Sequence, residues 1–233
     1  RRTDWPSLAA KLPVGLVNAR LSDRSARGYR KFGALARPAF SALAGAAAQT
    51  AADAARLGEL GTPAVEVCGN LKFDVTPRPD LLELGRSWRQ SLGKRRIWLA
   101  ASTREGEEAL VLAAHARLPG DVLLILVPRH PQRFDEVTRL AAEATGREPI
   151  RRSSGFPAPE SRIWIGDSMG ELAAYYAAAD LAFVGGSLLP LGGQNLIEAA
   201  ACGCPVVIGP HTFNFAQATA DAVAAGAARQ LDA

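Results

Sequence analysis

Residues 181–210 read LAFVGGSLLPLGGQNLIEAAACGCPVVIGP, and this stretch decides the fold. An apolar run enters a glycine-rich turn, an alanine-rich helical segment follows, and a second apolar run, PVVIG, closes the stretch. A strand, a helix and a second strand in this order predict a βαβ unit, whose two strands lie parallel in one sheet.

The same alternation extends upstream. Apolar runs stand at 97–102, 123–129 and 162–168, and each leads into a segment with helical character. Together with 181–187 and 205–209 they make five predicted strands of a buried parallel sheet, which predicts a doubly wound α/β domain. Every one of these strands ends in small or polar residues. Ligands bind at that edge of open α/β sheets, so the sequence predicts a site there.

The first third of the chain predicts three more strands, within 12–20, 46–50 and 64–70. Three strands make a small domain, so residues 1–77 are interpreted as part of another α/β domain whose first half precedes this sequence. Residues 76–85, TPRPDLLELG, carry two prolines and are interpreted as a linker. The second domain is then expected at 78–233, with its last helices beyond the final residue.

Charge is distributed unevenly along the chain. Residues 1–37 carry nine basic and two acidic side chains, a net +7, so the remainder sums to −3 within the total of +4. Four of the basic side chains recur at helical spacing: Arg20, Arg24, Arg27 and Lys31. Such a face is either simply solvated or attracted to an anionic membrane surface or a phosphorylated acceptor. Nucleic acid is not expected as a partner, because aromatic side chains do not interleave with these charges.

Cysteine and histidine usage argues against metals and disulfides. The cysteines form no CxxC pair and are interpreted as reduced core thiols of a cytosolic protein: Cys68, Cys202 and Cys204. The histidines lie too far apart to indicate a local metal site, so no metal is expected: His115, His130 and His211. The chain also lacks a DxD pair, a P-loop and a GxSxG turn.

The turn GGQN at residues 192–195 precedes a predicted helix. Glycines allow the backbone to approach a ligand, and the exposed N–H groups of a helix start attract an anion. A simple helix cap would explain Asn195 and Glu198, three residues apart. It would not explain two adjacent glycines beside another pair at 185–186, so a ligand-binding turn is favoured.

Other strand ends carry further candidates. In GDSMGEL, residues 166–172, Ser168 and Glu171 have capping-box spacing around a glycine that suggests close approach by a ligand. Arg129 directly follows a predicted strand and is suited to phosphate or carboxylate. Lys72 is a cation after another strand, and His211 follows the last one.

These blocks together resemble one family. The segments VNARLSDRSARGY, GNLKFD, ASTREGEE, LILVPRHPQRF, GDSMGELAAYY, ADLAFVGGSL, GGQNLIEAAA and GPHTFNF are similar to those of the 3-deoxy-D-manno-octulosonic acid (Kdo) transferases of lipopolysaccharide synthesis. The resemblance spans nearly all 233 residues. It implies a two-domain GT-B glycosyltransferase, inverting and without metal or other cofactor. Such an enzyme transfers Kdo from CMP-Kdo to a lipid A precursor as a peripheral protein at the cytoplasmic face of the bacterial inner membrane.

The resemblance also implies residue roles. It identifies nine CMP contacts: Pro128, Arg129, Met169, Gly170, Glu171, Asn195, Leu196, Ile197 and Glu198. It identifies Lys72 as a catalytic residue that stabilises the transition state. Five further residues are candidates for the site: Ser102, Ser168, Gly192, Gly193 and His211.

The chain departs from the family pattern in three places. Residues 194–198 read QNLIE where the family has His-Asn-Pro-Leu-Glu, and Arg1 stands where the family has an acid, four positions before Trp5 and Pro6. The family's general-base glutamate has no counterpart among these residues and is expected upstream. A non-catalytic CMP-binding module is therefore the second interpretation. Another GT-B nucleotide-sugar enzyme is the third, and nucleotide preference distinguishes it.

Overall fold

The computed structural model describes residues 12–232, apart from the side chain of Lys72. The departure at Arg1, with the neighbouring Trp5 and Pro6, lies outside the described residues. The chain divides into two compact units, with the division after Asp74.

The first unit is built on a three-stranded parallel sheet. Its strands lie side by side in chain order: β1 (Gly15–Ala19), β2 (Gly45–Ala48) and β3 (Val65–Val67). Its helices connect those strands: α1 (Asp23–Lys31) and α2 (Gly33–Ser41) between β1 and β2, and α3 (Ala51–Glu59) between β2 and β3. The three strands predicted for this region are all present.

The cysteine interpretation holds only in part. Cys204 is buried and Cys202 is partly buried, but Cys68 is exposed. It directly follows β3, an edge strand of the small sheet, so little chain packs over it. The prediction that Cys68 is a core thiol was therefore wrong.

The second unit is built on a seven-stranded parallel sheet. Its strands, in chain order, are β4 (Ile97–Thr103), β5 (Leu123–Pro128), β6 (Ile150–Arg151), β7 (Ile163–Ile165), β8 (Leu181–Val184), β9 (Val206–Ile208) and β10 (Ala228–Gln230). Their spatial order is β10-β9-β8-β4-β5-β7-β6. All five predicted strands are present. The two that the sequence did not predict, β6 and β10, are the short strands at the two edges.

Helices cover both faces of this sheet. Ile97 and Leu99 of β4 pack into one core, and Trp98 and Ala100 pack against the other. The first core includes residues of α4 (Pro79–Leu92), α7 (Leu172–Ala178), α8 (Ile197–Ala201) and α9 (Ala216–Ala224). The second includes residues of α5 (Glu107–Ala116) and α6 (Phe134–Thr145). A parallel sheet buried on both faces is the doubly wound architecture that the sequence predicts.

The stretch interpreted as a linker is mostly helix. Pro79 is the first residue of α4, a position where proline is favoured because its missing N–H has no partner within the helix. The helix runs for 14 residues and is anchored by the buried Trp88. Only residues 74–78 lack helix and strand, so reading 76–85 as linker was wrong beyond Arg78. The domain boundary at 77/78 stays a prediction.

Candidate functional site

The sheet order places four strand ends with candidate residues next to one another, those of β8, β4, β5 and β7. The chain adds strands on one side of β4 first and then returns to add β8 on the other side. This return makes a topological switch point between β4 and β8, where open α/β sheets bind ligands. The strand ends carry Ser102, Pro128 with Arg129, residues 168–171, and residues 192–198.

The turn at 192–195 folds back onto the end of β8. The N–H of Gly193 donates to the carbonyl of Gly186 at 2.6 Å, and the N–H of Gln194 donates to the carbonyl of Gly185 at 3.0 Å. These two amides are therefore already engaged and are not free for an anion, contrary to the simplest expectation from the glycine pair. The turn is a rigid extension of the strand end.

The glycine at 192 has a structural reason. Its φ is +92°, a left-handed conformation that glycine adopts at little cost. A Cβ at this position would collide with the side chain of Asn214. The backbone N–H of Asn214 donates to the carbonyl of Gly192 at 2.9 Å. The segment after β9 thus packs directly on the turn.

Unpaired backbone donors lie at the end of the glycine turn and directly after it. In the described part of the chain, the backbone N–H groups of Asn195 and Leu196 have no acceptor. The Asn195 side chain accepts from the N–H of Ile197 at 3.1 Å, but Glu198 makes no bond back, so only half of the expected cap exists. Unpaired amides at this point suit an anionic or hydrogen-bonding ligand.

The Glu198 carboxyl is partly buried and has no hydrogen-bond or ion-pair partner among the described residues. Burial raises its pKa, because no cation compensates the charge. An unpartnered, desolvated carboxyl next to free amides is typical of a binding site. Leu196 and Ile197 differ from Glu198: both are buried and pack into the core, so their side chains are not available to a ligand.

Arg129 reaches the same turn from β5. Its Nε donates to Oε1 of Gln194 at 3.3 Å, while its backbone N–H donates to the carbonyl of Thr103. Pro128 is buried and Arg129 is exposed. No carboxylate pairs with Arg129 within residues 12–232, so its charge is uncompensated beside the turn. Gln194 stands where the family that the sequence resembles has histidine, and it is the residue that Arg129 contacts.

The loop at 166–171, after β7, is held by side-chain contacts. The Ser168 hydroxyl lies 2.8 Å from the Tyr175 hydroxyl, and Tyr175 packs against Trp88 and Trp164 with ring centroids 5.1 and 5.9 Å away. Glu171 precedes α7 and makes no cap bond, so the capping-box interpretation of Ser168 and Glu171 was wrong. The hydroxyl is bound to Tyr175 instead.

An arginine that the sequence did not single out holds Glu171. Arg152 Nη2 donates to Glu171 Oε1 at 3.0 Å, and its guanidinium lies 5.0 Å from the centre of the Trp88 ring. Between Ser168 and Glu171, Met169 is exposed and Gly170 has a φ of +80° with open space around it. The loop therefore offers an exposed apolar side chain and a paired carboxylate rather than a helix cap.

The remaining candidates are placed as follows. Ser102 has a φ of +56°, at an irregularity in the pairing of β4 with β5. The backbone N–H of His211 donates to the carbonyl of Ser187 at 3.0 Å. Lys72 lies in a short 3-10 turn, Leu71–Phe73, of the first unit, and its side chain is outside the description.

Glu107 is a second residue that sequence reasoning missed. It is completely buried, and its carboxylate accepts four backbone N–H groups, three of them from residues 186–188. An acid in the first turn of a helix is usually explained by the helix dipole, so its position alone gave no signal. Arg152 was missed because it follows β6, an edge strand too short to predict.

Within the described ranges, no three His, Cys, Asp or Glu side chains come together to hold a metal ion. The expectation of a metal-independent site stays a prediction. A doubly wound sheet with an uncompensated arginine, unpaired amides and a glycine turn near its switch point is typical of nucleotide-binding α/β units.

Comparison with known proteins agrees with this class. Residues 5–75 match the family model described as 3-Deoxy-D-manno-octulosonic-acid transferase (kdotransferase). The chain is 47% identical over 240 residues to the 3-deoxy-D-manno-octulosonic acid transferase of Bordetella pertussis, covering 97% of this chain and 56% of the relative. It is 39% identical over 226 residues to the Haemophilus influenzae protein of the same name, covering 91% and 52%. The chain thus spans about half the length of these curated relatives.

A solved structure gives the same result. The C-terminal CMP-Kdo binding domain of WaaA from Acinetobacter baumannii is 32% identical, with a TM-score of 0.61 over 66% of this chain and 83% of that domain. The chain belongs to the 3-deoxy-D-manno-octulosonic acid (Kdo) transferase family. The predicted fold class, α/β of GT-B type with a doubly wound donor-side sheet, is confirmed.

Proposed function

We propose that this chain is part of an enzyme that transfers Kdo from CMP-Kdo to a lipid A precursor, and that its second unit binds the CMP moiety. Family membership supports the reaction, and the Acinetobacter domain, described as CMP-Kdo binding, supports the donor. One observation carries the proposal: Arg129, with no carboxylate partner in the described chain, contacts Gln194 of the glycine turn near the switch point.

The polar groups of the site are assigned to the phosphate or to the ribose by their charge. The guanidinium of Arg129 and the N–H groups of Asn195 and Leu196 are the donors for the phosphate, because charge-assisted and backbone donors both favour it. The carboxyls of Glu198 and Glu171 are the acceptors for the ribose hydroxyls, as an acidic residue is in dinucleotide sites. Met169 and Gly170 lie on the loop that would cover the nucleotide.

The proposed reaction inverts the anomeric carbon and needs no metal ion. An acceptor hydroxyl attacks that carbon, the bond to the phosphate oxygen breaks, and CMP leaves with the electron pair. Arg129 stabilises the negative charge that develops on the phosphate, which lowers the barrier only if it is held in place beforehand. The resemblance assigns to Lys72, in the first unit, the role of stabilising the transition state. A base must take the acceptor proton, and the resemblance assigns this to a glutamate upstream of residue 1.

A nucleotide titration tests the donor site. Calorimetry of the 233-residue chain should show CMP binding and little UMP binding, and Glu198→Gln should weaken CMP binding at least about tenfold, as expected for a lost charged hydrogen bond. The folded-state pKa of Glu198 is raised, so its ionised form costs stability as pH rises above 4.5. The variant should therefore melt no lower than the wild type at pH 7.

Glu160→Gln is the matched control, because Glu160 is an exposed carboxylate near the start of β7, at the opposite edge of the sheet. It should leave the CMP affinity unchanged. Equal affinity for CMP and UMP would favour another GT-B nucleotide-sugar enzyme. Binding without transfer, once the upstream segment is supplied, would favour a non-catalytic CMP-binding module. No binding by a folded chain would contradict the donor assignment.

The first unit is proposed to face the acceptor at an anionic membrane surface, the cytoplasmic face of the inner membrane. Five exposed basic side chains have no acidic partner among residues 12–232: Arg20, Arg24, Arg27, Lys31 and Arg37. Phe32 and Leu35 stand among them and are 72% and 68% exposed. Basic side chains interspersed with exposed apolar ones suit binding at a charged lipid interface. None of the helices within the described ranges is long and apolar enough to span a bilayer.

Vesicle sedimentation tests this contact. The chain should sediment with vesicles containing anionic phosphatidylglycerol, and less with pure phosphatidylcholine, in a salt-sensitive way. Reversing Arg24, Arg27 and Lys31 to Glu should abolish the difference. Reversing the exposed Arg86, Lys94 and Arg117 of the second unit changes the net charge equally and should preserve it. Equal losses in both triple variants would show that net charge alone is responsible.

A further inference from the structure

Glu107 has an environment unlike that of any other carboxylate in the described chain. It is the first residue of α5 and is 0% exposed. Its Oε2 accepts from the N–H of Arg104 at 2.9 Å and of Gly186 at 2.6 Å. Its Oε1 accepts from the N–H of Ser187 at 2.9 Å and of Leu188 at 3.0 Å. All four contacts are donors, so an ionised carboxylate, which only accepts, satisfies them and a neutral amide would not.

This carboxylate bridges the switch point. Arg104 directly follows β4, and residues 186–188 follow β8. Glu107 therefore connects the ends of the two strands that flank the switch point. It thereby fixes the chain leaving β8 in the position from which the glycine turn must start.

The segment that Glu107 fixes, residues 186–188, also holds the glycine turn, residues 192–195. The carbonyl of Gly186, whose N–H is bound to Glu107, accepts from the N–H of Gly193 at 2.6 Å. The next bond, between Gln194 and Gly185, places Gln194 where Arg129 contacts it. A hydrogen-bond series therefore runs from Glu107 through Gly186 to Gly193, and Gln194 is bonded to the adjacent Gly185. The unpaired amides of Asn195 and Leu196 follow directly in the chain.

We propose that Glu107 is a positioning residue for CMP: its buried carboxylate orients the turn 192–195 and, through Gln194, the guanidinium of Arg129. It touches no substrate itself. The inference rests on the proposed CMP site and adds to it the residue that gives the site its geometry. Preorganised groups bind a developing charge more strongly than groups that must first be ordered.

The adjacent Glu108 supplies a matched control. It is also 0% exposed, but its carboxylate pairs with Arg133 at 2.6 Å, and Arg133 also pairs with Glu136 at 2.8 Å. None of these residues bonds to 186–195. Glu107→Gln and Glu108→Gln thus each replace a fully buried carboxylate by an amide on the same helix. Of the two residues, only Glu107 bonds to the segment that holds the glycine turn.

Two measurements on the 233-residue chain separate positioning from folding. Without nucleotide, amide spectra should show that Glu107→Gln shifts Gly193 and Gln194, which Glu107 does not touch, whereas Glu108→Gln leaves them in place. With CMP, calorimetry well below both melting temperatures should show about a tenfold or greater loss of affinity for Glu107→Gln and less than about a twofold loss for Glu108→Gln.

The outcomes are distinct. If wild type binds CMP and folded Glu107→Gln binds equally well, the positioning role is overturned. If wild type does not bind CMP, the proposed function fails, while the amide shifts still decide whether Glu107 holds the turn. If Glu107→Gln does not fold, CMP is titrated into wild type. The amide resonances of Gly186, Ser187 and Leu188 should then shift together with that of Asn195, because the hydrogen bonds that connect them are polarised without a rearrangement of the loop. Unchanged resonances at 186–188 would refute the coupling.

Discussion

Two loops at the carboxyl edge, 166–171 and 185–195, look alike in sequence and are held in opposite ways. Each leads into a short helix, with a glycine before the helix and an acid, Glu171 or Glu198, three residues after a polar side chain. In 185–195 the backbone is held by Glu107, a distant buried carboxylate, and Glu198 is left free. In 166–171 the side chains are themselves held, Ser168 by Tyr175 and Glu171 by Arg152.

The two kinds of support have different consequences for ligand binding. A loop fixed through its amides can present unpaired side chains, because its geometry does not depend on them. A loop fixed through its side chains must exchange those partners, or share them, when a ligand arrives. We therefore expect 185–195 to bind phosphate without rearrangement, and 166–171 to adjust around the nucleoside.

The largest difference in stability between the two loops is expected when their glycines are substituted. Gly192 and Gly170 both have left-handed φ, but a Cβ collides with Asn214 at the first and meets open space at the second. Gly192→Ala should cost about 2–5 kcal/mol from strain and overpacking, and Gly170→Ala only about 1–2 kcal/mol from strain. Urea unfolding of both variants measures this. Equal costs would mean that the turn relaxes freely and is not fixed.

The two loop serines give a smaller, matched contrast. The hydroxyl of Ser187 is 0% exposed, donates to the carbonyl of Val184 at 2.6 Å and accepts from the N–H of Gly209 at 2.9 Å. Ser187→Ala leaves that buried N–H unpaired and should cost about 1–3 kcal/mol. Ser168→Ala removes one partly exposed bond and should cost about 0.5–1.5 kcal/mol. Thermal melting that ranks them in the reverse order would contradict the backbone-held description.

The smallest effect is expected at Arg152, which is partly exposed. Arg152→Gln removes the pair with Glu171 and the contact with Trp88, a loss of about 0.5–1 kcal/mol of stability. It also leaves Glu171 uncompensated near an anionic ligand, so CMP should bind about two- to fivefold more weakly, and more so at low salt.

Arg151→Gln is the neighbouring control, because Arg151, the last residue of β6, pairs with the exposed Asp135 of α6. It should change CMP binding less than Arg152→Gln does. Identical salt dependence in the two variants would show that the loss is a general charge effect and that Arg152 does not serve the loop.

The sequence predicted what is locally encoded. Apolar runs such as 123–128 specify buried strands by themselves, and their ends then locate the edge that carries the site. It did not predict the partners of Glu107 or Glu171, because those bonds join residues 79–81 and 19 positions apart. The cap predicted for Ser168 failed because tertiary packing offered Tyr175, a partner that spacing rules do not see. Pro79 was read as a break, although proline also starts helices.

The bonds of Glu107 also bear on how the chain folds during synthesis. Strands β4, β5 and β7 can pair as they emerge, but one edge of β4 stays open until β8 arrives, since Trp98 pairs with Leu181. At about 5–20 residues per second, the 79 positions between Glu107 and Gly186 take about 4–16 s to translate. Throughout that delay the carboxylate lacks its strand-end amides, and water must solvate it. The carboxylate therefore acquires three of its four hydrogen bonds only after β8 has been made.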